Sequence, residues 1–388
     1  MSSEWPIKTV GEFCPFKYGK NLPERDRKKG HYGVYSSAGL VGSHDSPYVK
    51  SPGVVIGRKG TVGSVTYSAC PFWPIDTAFF IEDEPDVRDV RFTYYLLRTL
   101  GLHLMNTDSA VPGLNRDNAH ALEVRVPPLS IQKIIADFLQ YLDDRITLLR
   151  ETNATFEAIA QALFKSWFVD FDPVRAKMEG RVPEGMDEAT AALFPDSLEE
   201  TELGEVPRGW RVTKFEDFIL RISVGKKFDQ KTAKLQGHVP ILDQGKSGVI
   251  GYHDEDPGVR ASLEDPVVVF ANHTCYMRLI PYDFSAIQNV LPFRGKGIDT
   301  VWAYYATQGR VKFSEYKGHW PDFAIEKAVV PNKLLGEVFR SVVDPMMRKV
   351  RANELHVEML IGLRDGLLPR LISGQLRLTK SACELVVN

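Results

Sequence analysis

The stretch "SGVIGYHDED", residues 247–256, closely repeats "AGLVGSHDSP" at residues 38–47. Four residues of the first occurrence return after a constant separation of 209 positions: Gly39 as Gly248, Gly42 as Gly251, His44 as His253 and Asp45 as Asp254. Glycine adopts backbone conformations that other residues avoid, so we expect the motif to hold a turn common to both copies. Residues that two copies share cannot distinguish them, so the motif is expected to be structural.

The repetition continues on both sides of this motif. Further matches are Trp5 with Trp210 and Phe13 with Phe218 at a separation of 205, Tyr94–Tyr95 with Tyr304–Tyr305 at 210, Pro112 with Pro321 at 209, and Pro127 with Pro331 at 204. Solenoid repeats have periods of roughly 20–50 residues, far shorter than this separation. The sequence therefore predicts the duplication of a whole domain, with loop insertions that account for the drift from 204 to 210.

Each copy contains short apolar and β-branched segments separated by Gly, Pro and Asp, which is typical of strands. These segments are "VVIGR" (54–58), "SVTYSA" (64–69) and "TAFFIE" (77–82) in the first copy, and "PILDQ" (240–244), "VVVFAN" (267–272) and "YMRLIP" (276–281) in the second. A short helix is expected near Phe92–Leu100 and again near Asp299–Gln308. Each copy is therefore predicted to be a mixed α/β (α+β) globular domain.

A long helix is predicted at the end of each copy, after Pro127–Pro128 and after Pro331. Apolar positions alternate at spacings of three and four: Leu139, Leu142, Ile146, Leu149, Asn153, Phe156, Ala160 and Leu163 in the first helix, and, 204 residues later, Val343, Met346, Val350, Asn353, Val357, Leu360, Arg364 and Leu367 in the second. This spacing predicts a coiled-coil seam. We expect the two helices to pack on each other as an antiparallel pair, so that the chain has pseudo-two-fold internal symmetry.

Three seam residues are polar. Asn153 and Asn353 interrupt the apolar pattern, and because a buried unpaired amide is costly, a contact between them is a reasonable hypothesis. Arg364 replaces the Ala160 of the first helix, which suggests either a partner contact or a side chain that reaches out to water.

Composition indicates a multidomain globular protein. The chain has 388 residues, 44% of them hydrophobic and 25% charged, and single cores rarely grow beyond roughly 250–300 residues. Its four cysteines form no CxxC pair, as expected in a reducing cytoplasm. No apolar run approaches the roughly 18 residues of a membrane span, and the N-terminal residues do not resemble a signal peptide. We therefore expect a cytoplasmic protein that does not bind membranes.

Positive charge is concentrated at the start of each copy. Residues 1–60 contain ten Lys and Arg against five Asp and Glu, and residues 208–237 contain eight against three. Residues 171–205 contain three basic residues and ten acidic ones. The two basic segments are either solvated surfaces or patches that face phosphates, and charge alone does not decide between these alternatives.

The catalytic motifs that we sought do not occur in a suitable context. There is no GxxxxGK[ST] loop, no strand–GxGxxG–helix and no HExxH, and "GRKGTVG" (57–63) is better interpreted as a hairpin. Asp299 with Glu315 and Lys317 has the loose D…ExK form of a magnesium nuclease site, but strands around it are not predicted. We therefore expect no catalytic residue, no metal and no cofactor on this chain.

Two long segments resemble a known family. "LFKSWFVDFDPVRAKMEGR" (163–181) and "MDEATAALFPDSLEETELGEVPRGW" (186–210) resemble the central spacer of specificity subunits of type I restriction–modification enzymes. "LRDGLLPRLISGQLRL" (363–378) is similar to the end of that family's second spacer helix. The resemblance extends over the whole chain: target recognition domain 1 (1–129), first spacer helix (130–170), linker (171–207), target recognition domain 2 (208–332), second spacer helix (333–374) and C-terminal tail (375–388).

The resemblance implies a non-catalytic subunit that recognises DNA. In this family each recognition domain reads one half of a bipartite target in double-stranded DNA, and the helices set the gap between the halves. The helices also dock two methyltransferase subunits, which use S-adenosylmethionine, and two motor–nuclease subunits, which use ATP and magnesium, join them. Because the two copies differ in their loops, the target is expected to be asymmetric.

Candidate DNA contacts follow from side-chain chemistry. Arg and Lys bind guanine, Asn and Gln bind adenine, and cations bind phosphate. In the first copy the candidates are Lys17, Lys20, Arg58, Lys59, Ser109 and Arg116; in the second they are Lys226, Lys227, Gln244, Lys246, Asn272, His273, Gln288, Asn289 and His319. Arg58–Lys59 and Asn272–His273 follow the same repeated strand, so these loops are expected to enter the groove. Local turn chemistry is the alternative explanation.

Two other functions remain open from the residues alone. One is a scaffold for nucleic acid or protein, and the other is a self-contained DNA-modifying enzyme or nuclease that uses the D…ExK residues.

Overall fold

The computed structural model describes residues 5–106, 113–245, 248–315 and 317–378. The chain forms two compact units. Unit 1 comprises Met1–Leu149 and His356–Asn388, and unit 2 comprises Arg150–Leu355. Both boundaries fall inside the predicted long helices, so each unit contains one copy of the repeated globular region together with about half of each helix.

Unit 1 begins with short strands and helices in the order that the sequence predicts. Its strands are β1 (Ile7–Thr9), β2 (Lys17–Tyr18), β3 (Tyr32–Ser36), β4 (Gly39–His44), β5 (Gly53–Gly57), β6 (Val65–Ser68), β7 (Phe72–Pro74), β8 (Ala78–Glu82) and β9 (Glu123–Arg125). Its helices before the spacer are α1 (Val10–Phe13), α2 (Val90–Arg98) and α3 (Arg116–His120), with 3₁₀ turns at Glu24–Asp26 and Leu102–Leu104.

Two sheets form the body of unit 1. One has the order β2-β8-β5-β6, and the other has the order β4-β3-β7, in which β3 and β7 are parallel. Side chains alternate across β5: Val54 and Ile56 join the core that includes α2, whereas Val55 joins Phe72 and Phe80. A strand with both faces buried reads as a continuous apolar run, as "VVIG" does.

The first long helix is α4 (Leu129–Phe168), and the spacer that follows it is folded. The spacer elements are α5 (Asp172–Met178), α6 (Glu188–Ala192), β10 (Leu198–Thr201) and β11 (Gly204–Pro207), the last two paired as a hairpin. Phe171, Phe194 and Trp210 are buried with Trp167 at the end of α4. The spacer is thus part of the core of unit 2, and its acidic side chains are exposed.

Unit 2 repeats the architecture of unit 1. Its strands are β12 (Arg211–Lys214), β13 (Ile219–Arg221), β14 (Lys227–Phe228), β15 (Val239–Leu242), β16 (Val249–His253), β17 (Val267–Ala271), β18 (Met277–Ile280), β19 (Ser285–Ile287), β20 (Val290–Gly295) and β21 (Lys327–Val330). Its helices are α7 (Phe215–Phe218), α8 (Thr300–Thr307) and α9 (Trp320–Ile325), followed by the second long helix, α10 (Lys333–Ile372). The sheets have the orders β13-β20-β17-β18 and β14-β19-β15-β16.

The two predicted short helices are confirmed as α2 and α8. Asp89 caps α2 by accepting from the N–H groups of Arg91 and Phe92, and Asp299, 210 residues later, caps α8 in the same way. Carboxylates at this position satisfy N–H groups that have no partner inside the helix.

The repeated glycine–histidine motif has the predicted structural role. Gly39 and Gly248 lie in the left-handed region, with φ of 98° and 83°, where the hairpins β3–β4 and β15–β16 turn back. His44 and His253 are buried, and each Nδ1 accepts a backbone N–H, from Lys28 at 3.0 Å and from Glu255 at 3.1 Å. Burial lowers the pKa of His253, which favours the neutral acceptor form.

The coiled-coil seam is confirmed. Ten residues of the seam are buried or half-buried, namely Leu142, Leu149, Asn153, Phe156, Leu163, Met346, Val350, Asn353, Leu360 and Leu367. At the outer ends, Phe164 and Leu368 are more buried than Leu163 and Leu367. A straight helix drifts relative to a repeat of 3.5 residues, so the buried position moves by one residue there.

The predicted asparagine contact is present within unit 2. Nδ2 of Asn353 donates to Oδ1 of Asn153 at 2.8 Å, and Nδ2 of Asn153 donates to the carbonyl of Val350 at 3.3 Å. Three of the four polar atoms are therefore paired across the seam, which offsets the cost of burying two amides.

Arg364 has a different role from the two that the sequence suggested. Its guanidinium contacts Oδ1 of Asp143 at 2.5 Å, and the hydroxyl of Tyr95 donates to Oδ2 of the same carboxylate at 2.7 Å. Burial and the Asp143 hydrogen bond raise the pKa of Tyr95, so the hydroxyl stays a donor. Arg364 is thus held inside unit 1 by an ion pair. Its side chain neither extends into water nor is available for a contact with a partner protein. The sequence could not show this, because Asp143 is 221 residues away.

The same layer of unit 2 is apolar. Ala160 corresponds to Arg364, Met347 to Asp143 and Tyr305 to Tyr95, and all three contribute to the core of unit 2. The two halves of the seam therefore differ in chemistry: unit 1 contains a charged triad, and unit 2 contains an apolar layer in its place.

Candidate nucleic-acid interface

The loop that follows β5 in unit 1, residues 58–64, is called loop A. The backbone N–H groups of Arg58 and Lys59 both donate to the carbonyl of Thr77, which fixes the start of the loop. Nη1 of Arg58 donates to the carbonyl of Asp76 at 3.0 Å, and Lys59 is exposed. Loop A thus connects strands β5 and β6 of the predicted hairpin, and its first two residues carry positively charged side chains.

Tyr18 brings two of the predicted cations together. The guanidinium groups of Arg58 and Arg116 each lie 5.1 Å from the centre of its ring, and Tyr18 is 50% exposed. Cation–π attraction holds both groups, but like charges also repel, so an anion or an electron-rich base edge nearby would be favourable. The sequence search missed Tyr18, although its position directly after Lys17 was a usable signal.

The remaining cations of unit 1 differ in their availability. Nζ of Lys17 pairs with Glu82 at 2.7 Å and lies on the opposite face of β2 from Tyr18. Nζ of Lys20 lies 5.6 Å from the ring of Tyr48. For Lys59, no ion pair or hydrogen bond of the side chain occurs among the described residues, so this cation is free to bind a phosphate.

Arg116 begins α3, and the far end of that helix is held by a histidine. Nε2 of His120 accepts the backbone N–H of Phe16 at 2.8 Å, and burial together with Arg116 lowers the pKa of His120. The neutral imidazole therefore fixes α3 against the segment that leads into β2.

Loop B, residues 272–276, occupies the corresponding place in unit 2. The backbone N–H of Asn272 donates to the carbonyl of Asn289 at 2.9 Å, just as Arg58 donates to Thr77. The carbonyl of Arg58 accepts the N–H of Leu114, and the carbonyl of Asn272 accepts the N–H of His319. The two loops therefore share these two backbone hydrogen bonds, while their side chains differ.

Two candidates of loop B have structural partners. Oδ1 of Asn272 accepts the N–H of Trp320 at 2.8 Å, at the start of α9. Oε1 of Gln244 accepts the N–H of His273 at 3.0 Å, and Nδ1 of His273 lies 2.9 Å from the carbonyl of Lys317. Asn272 and Gln244 thus support the loop with the same side-chain oxygens that would accept a hydrogen bond from adenine.

The structure corrects the expectation for His319. This residue is only 1% exposed, Nε2 lies 3.1 Å from the carbonyl of Glu315, and Nδ1 lies 3.5 Å from Asp322. Its ring is therefore a buried support beneath loop B and does not face DNA. The sequence could not reveal this, because the burial of His319 depends on its contacts with residues distant in the chain, such as Asn272.

The other candidates of unit 2 lie at its surface. Lys226 pairs with Glu255 at 2.5 Å, whereas Lys227 is exposed and has no ion pair within the described ranges. Gln288 is exposed in the turn before β20, and Asn289 adopts a φ of 67° there. Ser109 and Lys246 lie outside the described residues.

Unit 2 also contains a cation–π pair that the sequence search missed. The guanidinium of Arg221, at the end of β13, lies 5.3 Å from the ring of Trp320, the first residue of α9. In unit 1 the strand contributes the aromatic ring, Tyr18, and the helix contributes the cation, Arg116. The two units thus place a similar pair of groups near their loops with the roles interchanged.

The D…ExK residues are engaged in other contacts. The carboxylate of Asp299 caps α8 and pairs with Arg340 at 3.3 Å. Lys317 pairs with Glu315 and Asp322, each at 3.3 Å, and these hydrogen bonds raise its pKa. No group of three or more His, Cys, Asp or Glu suited to a metal ion occurs in the described part of the chain.

None of the helices within the described ranges combines the length and the hydropathy that a membrane crossing requires.

Comparison with known proteins agrees with this architecture. Residues 2–158 match the family model of the type I restriction modification DNA specificity domain. The chain is 24% identical over 328 residues to the type I restriction enzyme HindI specificity subunit of Haemophilus influenzae, which covers 68% of this chain and 71% of that protein. It is also 24% identical over 315 residues to the type I restriction enzyme MjaIX specificity subunit of Methanocaldococcus jannaschii, covering 74% and 69%.

A solved structure has the same fold. The S subunit of the type I restriction–modification system of M. genitalium superimposes with a TM-score of 0.59 over 98% of both chains, at 15% identity. The resemblance predicted from the spacer motifs is therefore confirmed: residues 2–158 match the type I DNA specificity domain, and the chain as a whole has the fold of the solved S subunit.

Proposed function

We propose that this chain is the DNA-recognition subunit of a type I restriction–modification complex. Unit 1 and unit 2 each read one half of a bipartite, asymmetric target in double-stranded DNA. The observation that carries the proposal is the pair of loops A and B, which share two backbone hydrogen bonds but carry Arg58–Lys59 in one unit and Asn272–His273 in the other. Two loops with a similar backbone and different side chains suit the recognition of two different half-sites.

The antiparallel helices would set the gap between the half-sites. The seam from Leu139 to Leu163 spans 25 residues and corresponds to a rod of about 37 Å, since a helix rises roughly 1.5 Å per residue. One turn of DNA is about 34 Å, so a spacer of this kind suits half-sites separated by roughly one turn.

The outer faces of the helices would dock the methyltransferase subunits. On α10, Leu355, Met359 and Leu363 are exposed at spacings of four residues, which places them on one face. On α4, Ile159 is exposed 204 residues before Leu363. An apolar position repeated on both helices suits two copies of one partner, to which two motor–nuclease subunits would be added.

The proposal assigns the chemistry to the partners. This chain would have no catalytic residue, metal or cofactor of its own. S-adenosylmethionine would bind the methyltransferase subunits, and ATP and magnesium would bind the motor–nuclease subunits. The complex would work in the cytoplasm, where it meets chromosomal and incoming DNA.

Replacement of one reader tests the proposal. Residues 210–330 are exchanged for the matching domain of a related specificity subunit, and the methylated motif of the host genome is determined with each version. We expect one half-site to change while the other half-site and the gap stay the same. A change in both half-sites, or no methylated motif that depends on the chain, would contradict the proposal.

Binding and activity measurements separate the alternatives. A scaffold that binds only protein would show no salt-dependent affinity for DNA, whereas phosphate contacts give a steep salt dependence. A self-contained enzyme would transfer methyl groups or cleave DNA when the purified chain is supplied with S-adenosylmethionine and magnesium. We expect neither activity without the partner subunits.

A further inference from the structure

Each unit exposes one large apolar side chain beside its loop. Leu104, at the end of a 3₁₀ turn, is 79% exposed, and Phe313 is 57% exposed. The two positions are 209 residues apart, the same separation as in the repeated glycine–histidine motif. An isolated exposed apolar residue needs no explanation, but the same position exposed in both copies of a duplicated domain does.

In unit 1 the turn that carries Leu104 lies against loop A. A Cβ atom on Gly63 would come within 2.2 Å of the carbonyl carbon of Leu102, so loop and turn touch through their backbones. Farther along the chain, Asn106 forms a β-bridge with Leu114, whose N–H donates to the carbonyl of Arg58. The turn that carries Leu104 is therefore held against loop A, whose first two residues are cations.

The corresponding contacts connect Phe313 to loop B. Val311, Lys312 and Phe313 line an open cavity of about 400 Å³ together with Thr274, Cys275 and Tyr276. The ring of Phe313 lies 6.1 Å from that of His319, and the N–H of His319 donates to the carbonyl of Asn272. Leu104 and Phe313 thus each precede, by ten and six residues, a residue whose N–H donates to the first carbonyl of the neighbouring loop.

The surroundings of both side chains favour DNA over an apolar protein surface. Loop A, which carries Arg58 and Lys59, touches the turn that carries Leu104, and Lys312 and Gln244 line the same cavity as Phe313. Cations and amides around a single apolar side chain are typical of proteins that insert a wedge between base pairs. In such proteins the polar groups bind the DNA backbone and the base edges, while the apolar side chain replaces part of the base stacking that is lost at the step.

We propose that Leu104 and Phe313 are wedges, each of which inserts at one base step beside its half-site and partly unstacks it. This inference rests on the proposed function, because it requires both units to bind DNA. Pyrimidine–purine steps unstack most readily, so a wedge would add a preference at a step that no side chain contacts by hydrogen bonds.

Fluorescence of 2-aminopurine tests the proposal. The full chain in complex with its methyltransferase subunits is bound to duplexes that carry the motif methylated in the host, with 2-aminopurine placed at each step in turn. Unstacking increases the fluorescence of this base, so we expect an increase at one step next to each half-site. No increase at any step in the bound complex would overturn the proposal.

Substitutions assign the two signals. Leu104→Ala should abolish the signal beside the first half-site only and weaken binding about 10-fold, since unstacking a step costs a few kcal/mol that the wedge partly offsets. Phe313→Ala should do the same at the second half-site, and Phe313→Leu should retain most of both effects. The slope of affinity against salt should stay unchanged, because no phosphate contact is lost.

Val87→Ala and Val182→Ala are matched controls, since these residues are 61% and 80% exposed in other parts of the chain. They should leave binding and fluorescence unchanged. If Leu104→Ala and Phe313→Ala reduce methyltransferase binding and leave the fluorescence intact, the side chains contact protein and the wedge is refuted while the proposed function stands. Absence of DNA binding by the wild-type complex would refute both.

Discussion

Replacing the charged triad of unit 1 by its apolar counterpart from unit 2 should leave stability almost unchanged. The double variant Asp143→Met with Arg364→Ala introduces the residue types found at Met347 and Ala160, which the same helix layer already accommodates. Exchanging a buried ion pair for packed apolar groups is often neutral or stabilising. By contrast, each single variant leaves one charge half-buried without its main partner.

The expected cost of each single variant follows from the exposure of the pair. The side chains of Arg364 and Asp143 are 14% and 22% exposed. Breaking a fully buried pair costs about 3–5 kcal/mol, and breaking an exposed pair costs about 0.2–1 kcal/mol, so an intermediate value of about 2 kcal/mol is expected. For a folding unit of this size, that corresponds to a fall in Tm of about 4–8 °C.

Calorimetry and urea unfolding of the full chain would measure these changes as a double-mutant cycle. Because each single variant should cost about 2 kcal/mol and the double variant almost nothing, we expect an interaction free energy of about 4 kcal/mol between Asp143 and Arg364. Lys333→Ala is the control, because Lys333 pairs with Glu337 on the surface of α10 and its loss should cost less than about 0.5 kcal/mol. If the two single costs add in the double variant, the residues act independently and the reasoning is wrong.

Three further predictions concern the readers, the spacer and pH. Arg58→Ala should relax base preference in one half-site at a cost of about 1–3 kcal/mol, whereas Lys59→Ala should weaken binding to all DNA sequences alike and lower the salt slope by about one unit. Tyr18→Ala should reproduce part of the Arg58→Ala effect and Tyr18→Phe should not, as measured by binding to single-base variants of the target. Because α4 and α10 are antiparallel, one heptad is inserted after Arg150 and a second after Leu355. Seven helical residues span about 10 Å, so the gap in the methylated motif should lengthen by about three base pairs while both half-sites stay unchanged. A changed half-site with an unchanged gap would show that the helices do not set the gap. Hydrogen bonds from Lys234 and His238 lower the pKa of Asp254 to about 2, so this contact stabilises unit 2 above the unfolded pKa near 3.9 and is lost as the pH falls toward 2; NMR titration should give a midpoint of about 2, which Lys234→Ala should move toward 3.9.

The sequence was sufficient for every feature that depends on local pattern or on comparison of the chain with itself. The apolar run at β5, the spacing of the seam and the repeated glycines each follow from steric and burial rules that act over a few residues. The duplication was visible because both copies obey the same rules at a nearly constant separation. Asn153 could be matched with Asn353 because each interrupts a seam whose geometry is regular enough to extrapolate.

Tertiary structure decided the partners of individual polar side chains. Arg364 and Asp143 are 221 residues apart, Asn272 and Trp320 are 48 apart, and only the folded chain brings each pair within hydrogen-bond distance. The tertiary structure also buries His319, which the sequence predicted to contact DNA, and it places Tyr18 next to Arg58 and Arg116. The physical reason is that a periodic pattern specifies which face of an element is buried, whereas a hydrogen bond or cation–π contact requires two groups to meet within about 3–6 Å, and that depends on how loops of irregular length bring distant elements together.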